Sequence, residues 1–177
     1  MKKVLFTLVA MVMAISASAQ VYVGGSAGIY SKTTTAGGED VNTTEYKLVP
    51  EIGYNIDKDW AVGIAFGWTG ETKGNVKTLE VNPYVRYTFI HTKYINTFVD
   101  GGVGYGHVYN NENDKDLWSL GFRPGISVNL NEKLSFVAHV GFLGWEQTKD
   151  NNSHSKVSKW GVEADGNDLT FGLYYNF

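Results

Sequence analysis

Cysteine is absent from the chain, so neither a disulfide nor a thiolate metal site holds the fold together. Proline is scarce, with three residues in 177. Beyond residue 19 no stretch approaches the roughly 18 consecutive apolar residues of a transmembrane helix, which excludes a helical membrane span there. Positive charge is in slight deficit, 15 Lys and Arg against 18 Asp and Glu. That balance argues against a nucleic-acid partner. Glycine, with 21 residues, and aromatic residues, at 14%, are plentiful instead.

The N-terminus reads as an export signal. Met1, Lys2 and Lys3 form a charged start, VLFTLVAMVMAISA is a short apolar stretch, and Ala17, Ser18 and Ala19 supply a small-x-small cleavage pattern. Cleavage is expected before Gln20, removing 1–19 and leaving residues 20–177 as one domain by length. Loss of Lys2 and Lys3 makes the remaining chain more acidic than its formal −3. An exported chain without cysteine is either a soluble domain with a buried core or a closed β-barrel, whose strands escape a helix-hydropathy scan.

Period-two alternation favours the barrel. Eight runs, at 20–33, 44–56, 60–72, 77–90, 95–109, 116–130, 134–148 and 168–177, each have one apolar and one small-or-polar face. The apolar face includes Trp60, Val62, Ile64, Phe66 and Trp68 on the third run; Leu134, Phe136, Ala138, Val140 and Phe142 on the seventh; and Leu169, Phe171, Leu173, Tyr175 and Phe177 on the last. No position of that face is charged on any run, as expected where a lipid-facing charge costs up to about 2–4 kcal/mol. Short connections at 57–59, 91–94 and 131–133 alternate with polar ones at 34–43, 73–76, 110–115 and 149–167. An up-and-down barrel alternates in this way when short turns and both termini face the periplasm and longer loops face outside. Tyr46, Trp68, Tyr105 and Trp118 then fall near the outer rim, and Tyr54, Trp60, Phe89, Phe136 and Phe177 near the inner one, as two aromatic girdles.

With eight alternating runs, a closing pattern of Phe171, Leu173, Tyr175 and Phe177, and phrases such as PEIGYNIDKDWAVG, the chain resembles the eight-stranded outer-membrane β-barrel family that includes the OmpA transmembrane domain and OmpX. The resemblance spans residues 20–177. It implies an all-β, eight-stranded antiparallel up-and-down transmembrane barrel in a bacterial outer membrane. Outer-membrane lipids would be its surroundings, and the barrel-assembly machinery would read the closing Phe171–Phe177 pattern. The pattern specifies fold strongly and activity weakly. No peptidoglycan-binding domain follows Phe177 in the sequence, so the resemblance does not extend to an anchoring role of that kind.

The other face carries Gly63, Ala65, Gly67, Gly102, Gly104, Gly106, Gly121, Gly125 and Gly141, small residues suited to an eight-stranded interior. Among them stand Glu51, Glu80, Arg86, Asp100 and Arg123. Folding the hairpin about Lys93 sets Arg86 opposite Asp100, and the same construction sets Glu51 opposite Ala65, Arg123 opposite Gly141 and His139 opposite Gly125. These five charged residues are expected to form an ion-pair plug, with a narrow gated pore as the alternative. Pro50, Pro83 and Pro124 each remove a ladder donor and are expected to mark bulges.

Other chemistry is poorly supported. Gly102-Val103-Gly104 lacks the strand-to-helix context of a phosphate loop. Asn111, Asn113, Asp114 and Asp116 lack calcium-loop spacing, and the histidines lack zinc-ligand spacing. Ser153, His154 and Ser155 with Glu163 hint at a lipid hydrolase, but sequence neighbours alone make no catalytic relay. No cofactor or metal is expected. The expected role is a non-enzymatic anchor that displays loops 34–43 and 149–167 to an extracellular protein or surface ligand, with a narrow small-solute channel as the alternative. A soluble lipocalin-like barrel is the rival fold, in which the apolar face would instead line a ligand cavity.

Overall fold

A strand with two unlike faces satisfies its backbone donors and acceptors only beside another strand, and a sheet of such strands removes its last open edges by closing on itself. The computed structural model of the chain closes in this way. It describes residues 20–36, 39–71, 76–110, 114–151, 155–163 and 170–177; the expected signal peptide at 1–19 lies outside them. The elements are β1 (Val21–Ala36), β2 (Glu39–Asn55), β3 (Trp60–Glu71), β4 (Lys77–His91), β5 (Ile95–Tyr109), β6 (Lys115–Asn129), β7 (Leu134–His139), β8 (Phe142–Asp150), β9 (Lys156–Glu163) and β10 (Thr170–Asn176).

Each of β1 to β5 pairs antiparallel with the next strand in sequence. β6 then pairs with β7 over one half of its length and with β8 over the other. β10 lies against β7 and β9 against β8, so the ten segments build eight barrel positions. β10 also pairs with β1, from Tyr22 opposite Asn176 to Ala27 opposite Phe171, and this seam closes the barrel. At its end the Phe177 N–H donates to the Val21 carbonyl at 3.0 Å and the Asn176 N–H to the Lys133 carbonyl at 2.7 Å.

The three short turns share one device. Asp57 Oδ1 accepts the N–H groups of Asp59 and Trp60 at 2.7 and 2.8 Å. Asn131 Oδ1 accepts those of Lys133 and Leu134 at 2.9 and 2.8 Å, and Thr92 Oγ1 accepts that of Ile95 at 2.8 Å. Side-chain oxygens thus replace ladder partners where the chain reverses.

Apolar side chains face outward along the whole cylinder: Val62, Phe66, Leu79, Val85, Val103, Leu120, Phe122 and Leu173 are all exposed. Charged residues Glu51, Arg86 and Asp100 are buried inside. A lipocalin-like arrangement, with the faces reversed, is therefore excluded.

Four expectations need correction. The segment 34–43 is not an open loop: β1 and β2 continue as one ladder through Thr34 opposite Val41 to Ala36 opposite Glu39. Its run of β-branched threonines suits an extended ladder. The segment 149–167 likewise contains the end of β8 and all of β9, paired from Phe142 opposite Glu163 to Lys149 opposite Lys156. Third, Phe142 does not face outward, and Arg123 does not meet Gly141. The β6 ladder stops at Gly125 opposite His139 and resumes at Phe122 opposite Leu143, while Gly141 takes a φ of 71°. This bulge uses one extra residue, so every side chain of β8 changes face. Leu143 is exposed, and Phe142 lines the interior.

Fourth, the prolines do not all bulge. Leu48 opposite Trp68 and Ile52 opposite Ile64 keep one register on either side of Pro50, as do Val81 opposite Tyr105 and Tyr84 opposite Gly102 around Pro83. Only Pro124 faces a break, where its carbonyl accepts the Val140 N–H at 3.0 Å. A further register shift falls between Thr88 and Ile90, at Phe89.

The Asp57 turn should be acid-sensitive. Two backbone N–H donors hold its carboxyl below the usual carboxylate range. The turn's stabilisation is therefore complete above the unfolded value, near pH ~4, and is lost as pH falls through the lower folded value. Amide exchange at Asp59 and Trp60, corrected for intrinsic rates, should accelerate over that acid window in the wild type. In Asp57→Asn, whose amide oxygen accepts at every pH, the acceleration should be absent.

Candidate functional site

The cross-strand registers explain how the interior fills. Tyr22 lies opposite Gly53, Tyr84 opposite Gly63, Tyr174 opposite Gly24 and Phe98 opposite Gly125. Each ring lies across the space its glycine leaves open. A Cβ on Gly53 would fall 2.1 Å from Tyr22 Cζ, and one on Gly125 would fall 2.4 Å from Phe98 Cζ. Tyr22, Phe98 and Tyr174 thereby pack in a layer with Ala61 and Val137, and Tyr84, packed with Val49 and Ala65, joins them through the Tyr22 hydroxyl.

A continuous polar chain crosses this layer. Arg86 and Asp100 stand directly opposite each other on β4 and β5. The guanidinium grips the carboxylate with both arms, Nε to Oδ1 at 2.6 Å and Nη2 to Oδ2 at 2.7 Å. His139 Nε2 donates to the same Oδ2 at 2.9 Å. The Arg86 Cζ lies 3.9 Å from the centre of the Phe98 ring, with the rings of Tyr22, Tyr84 and Tyr174 at 5.3 to 5.6 Å. Its Nη2 also reaches Tyr174 Oη at 3.5 Å. Glu51 Oε2 accepts from Tyr174 at 2.5 Å and from Tyr84 at 2.9 Å. Because the single Tyr84 proton goes to Glu51, Tyr22 is the donor in the 2.7 Å contact between the two tyrosine hydroxyls. Asp100 is 2% exposed.

The five charged residues expected to act together therefore divide. Arg86 and Asp100 form the ion pair, and Glu51 is held by two tyrosines, one of which, Tyr174, also bonds Arg86. Glu80 and Arg123 stand apart, lining a cavity of about 310 Å³ on the long-loop side of the layer with Lys47, Asn82, Ser119, Glu146 and Thr148. Sequence reading missed Tyr22, Tyr84, Phe98 and Tyr174. Their signal was parity, since each occupies the inward position of its run.

Outward aromatics cluster at both ends. Near the long-loop end, Tyr46 packs edge-on against Trp68 at 5.6 Å and Tyr105 against Trp118 at 4.8 Å. Trp145 opposite Trp160, the latter 77% exposed, extends this set in a way the sequence reading did not anticipate. Toward the other end, Trp60 meets Tyr87 at 4.7 Å, Phe136 stacks on Phe171 at 5.7 Å and Tyr175 meets Phe177 at 5.0 Å. Tyr54 and Phe89 are exposed there, and Leu173 is exposed between Phe171 and Tyr175.

Two rim features bear on the chemistry weighed earlier. His107 Nδ1 lies 2.8 Å from Asp116 Oδ1, which also accepts from Tyr105 at 3.2 Å, a tie between the ends of β5 and β6. Asn111, Asn113, Ser153 and His154 lie outside the described residues. Among the described residues no three His, Asp or Glu gather as a metal site. Gly102 and Gly104 lie inside the continuous strand β5.

The tyrosine–Glu51 bonds should be strongly coupled. Tyr84→Phe or Tyr174→Phe alone leaves Glu51 one donor, at a cost of about 1–3 kcal/mol each. The double variant strands the carboxylate, so a urea-unfolding cycle should give a coupling energy above about 0.5 kcal/mol. Strict additivity would show that the hydroxyls act independently.

The model of the family described as "Outer membrane protein beta-barrel domain" matches residues 4–177. Neisserial surface protein A is similar in structure at 15% identity, with 90% of this chain and 98% of that one covered and a TM-score of 0.60. The outer membrane protein OprG of Pseudomonas aeruginosa is similar at 16% identity, with 89% and 96% covered and a TM-score of 0.54. No curated protein matches the chain significantly in sequence.

Proposed function

Because the chain belongs to the outer membrane protein β-barrel family, we propose that it is a sealed, non-enzymatic anchor in the bacterial outer membrane that displays the β1–β2 and β8–β9 hairpins to an extracellular protein or surface ligand. The observation that carries this reading is the buried layer of Arg86, Asp100, His139, Glu51 and the three tyrosines. It blocks the lumen with groups that already satisfy one another. Beyond Ile29 and Tyr46 the first hairpin runs seven more paired residues to Ala36 and Glu39, roughly 20 Å of ladder. Such a projection suits contact with another surface.

In this proposal the long-loop end faces outward and both termini face the periplasm, after removal of residues 1–19. The aromatic clusters sit at the two membrane interfaces, as such rings do elsewhere. The assembly machinery reads Phe171, Leu173, Tyr175 and Phe177, three of which are exposed on the outer wall of β10. A lipid hydrolase would draw on Ser153, His154 and Ser155 with Glu163, of which Ser153 and His154 lie outside the described residues.

A narrow channel is the second reading, favoured by the cavity above the sealed layer. Conductance separates the two. In planar bilayers the wild type should be silent. Arg86→Ala removes the cation from a buried pair, at a cost of about 3–5 kcal/mol, and should raise open events. Steady conductance by the wild type, unchanged in Arg86→Ala, would replace the sealed anchor with the channel.

A further inference from the structure

We propose that the cavity on the long-loop side of the sealed layer is a closed-bottomed binding pocket for a small zwitterionic solute, one that carries both a carboxylate and an ammonium group. This goes beyond the anchor reading and does not depend on what the hairpins contact.

The argument begins with three charged side chains that the barrel leaves unanswered. Lys47 on β2, Glu80 on β4 and Arg123 on β6 are half-buried and line the same cavity. Among the described residues none of the three has a hydrogen-bond or ion-pair partner. Their cross-strand neighbours explain why. Glu80 lies between Gly67 and Gly106, and Lys47 between Gly28 and Thr69, so no opposite charge flanks either. Arg123 lies opposite Asp100, whose carboxylate bonds Arg86 and His139 and makes no hydrogen bond to Arg123. On its other side the ladder is broken at Gly141. Glu51, on the same floor, is occupied by Tyr84 and Tyr174.

A half-buried charge that forgoes a partner carries a desolvation cost. Here two cations and one anion carry it around one space of about 310 Å³. At ~30 Å³ per water molecule, that space holds roughly ten waters, or one solute of amino-acid size. The charge pattern selects the chemistry. A guanidinium receives a carboxylate through two parallel hydrogen bonds, with Lys47 adding a second positive charge, while Glu80 receives an ammonium. Glu146 also lines the wall but is already paired with Lys159 at 3.9 Å, and Asn82, Ser119 and Thr148 add neutral groups. A simple anion would leave Glu80 unanswered, and a simple cation would leave Arg123 so. The sealed layer beneath makes the space a dead end.

The test uses the refolded full chain in detergent micelles, titrated separately with L-alanine, acetate and methylammonium, and followed by calorimetry and the Arg123 side-chain nitrogen signal. L-alanine should bind saturably and at least ~tenfold more tightly than either single-charge probe. Arg123→Gln and Glu80→Gln should each weaken it about tenfold, with heat-modifiable migration confirming that each variant barrel is folded. Arg123→Lys should restore part of the affinity. Equal binding of acetate and L-alanine, unchanged affinity in Glu80→Gln, or no saturation by L-alanine below about 100 mM would each overturn the proposal. Wild-type conductance would overturn the sealed anchor and the closed floor of the pocket, whereas the L-alanine titration alone decides whether the charged wall binds a zwitterion.

Discussion

In hydrocarbon no water waits for an unpaired backbone N–H or carbonyl, so a strand crossing it must have neighbours on both sides. The seam between β1 and β10 meets that demand, and the rest of the molecule answers to it. Its pairs run from Tyr22 opposite Asn176 to Ala27 opposite Phe171, which brings the end of the chain to the start of the barrel. Closure at eight positions then sets the diameter, and the diameter sets what fits inside. At four strand pairs a ring opposes a glycine, and that room lets the rings of Tyr22 and Tyr174 stack at 5.5 Å within one layer.

The charged residues within follow from the same narrowness. Arg86 is enclosed by four aromatic rings and Asp100 by Arg86 and His139, so little of either is open to water. A buried pair of this kind adds little net stability relative to a well-packed apolar layer, but removing one partner strands the other at a much larger cost. The asymmetry makes the layer a device for excluding alternatives: a one-residue slip between β4 and β5 would turn one of the two charges outward and strand the other. The Tyr84 and Tyr174 hydroxyls perform the matching service for Glu51, with Tyr22 bonded to Tyr84 behind them and Arg86 reaching Glu51 only through Tyr174.

Much of this was legible in the sequence because a period of two is unforgiving. Once the turn after His91 is placed, Arg86 must meet Asp100, and Glu51 meets Ala65 by the same rule. What escaped did so for physical reasons. Gly141 inserts one residue and exchanges the faces of β8, and nothing in a glycine among glycines announces a positive φ. Tyrosine suits both an interface and a packed lumen, so Tyr22, Tyr84 and Tyr174 were readable only by position. The segment containing β9 is rich in Lys and Ser and resembles a loop in composition, although Val157, Trp160 and Val162 lie in a strand paired along β8. Arg123 shows the limit of register as a guide to bonding: it stands opposite Asp100, yet the carboxylate is already committed elsewhere.

That commitment divides the lumen in two. Where glycines oppose rings, at Gly24, Gly53, Gly63 and Gly125, the rings fill the space, and Arg86, Asp100, His139, Glu51 and the three tyrosines bond one another. Nearer the long-loop end the glycines oppose charges instead, as Gly67 and Gly106 do Glu80 and Gly28 does Lys47. A charged side chain next to a gap gains room but no partner, and the same substitution of hydrogen for a side chain therefore has opposite consequences along one strand. In the proposed anchor the first half is the seal, and in the proposed pocket the second half is the binding wall; the bulge at Gly141, by breaking the ladder beside Arg123, lies at the boundary between them.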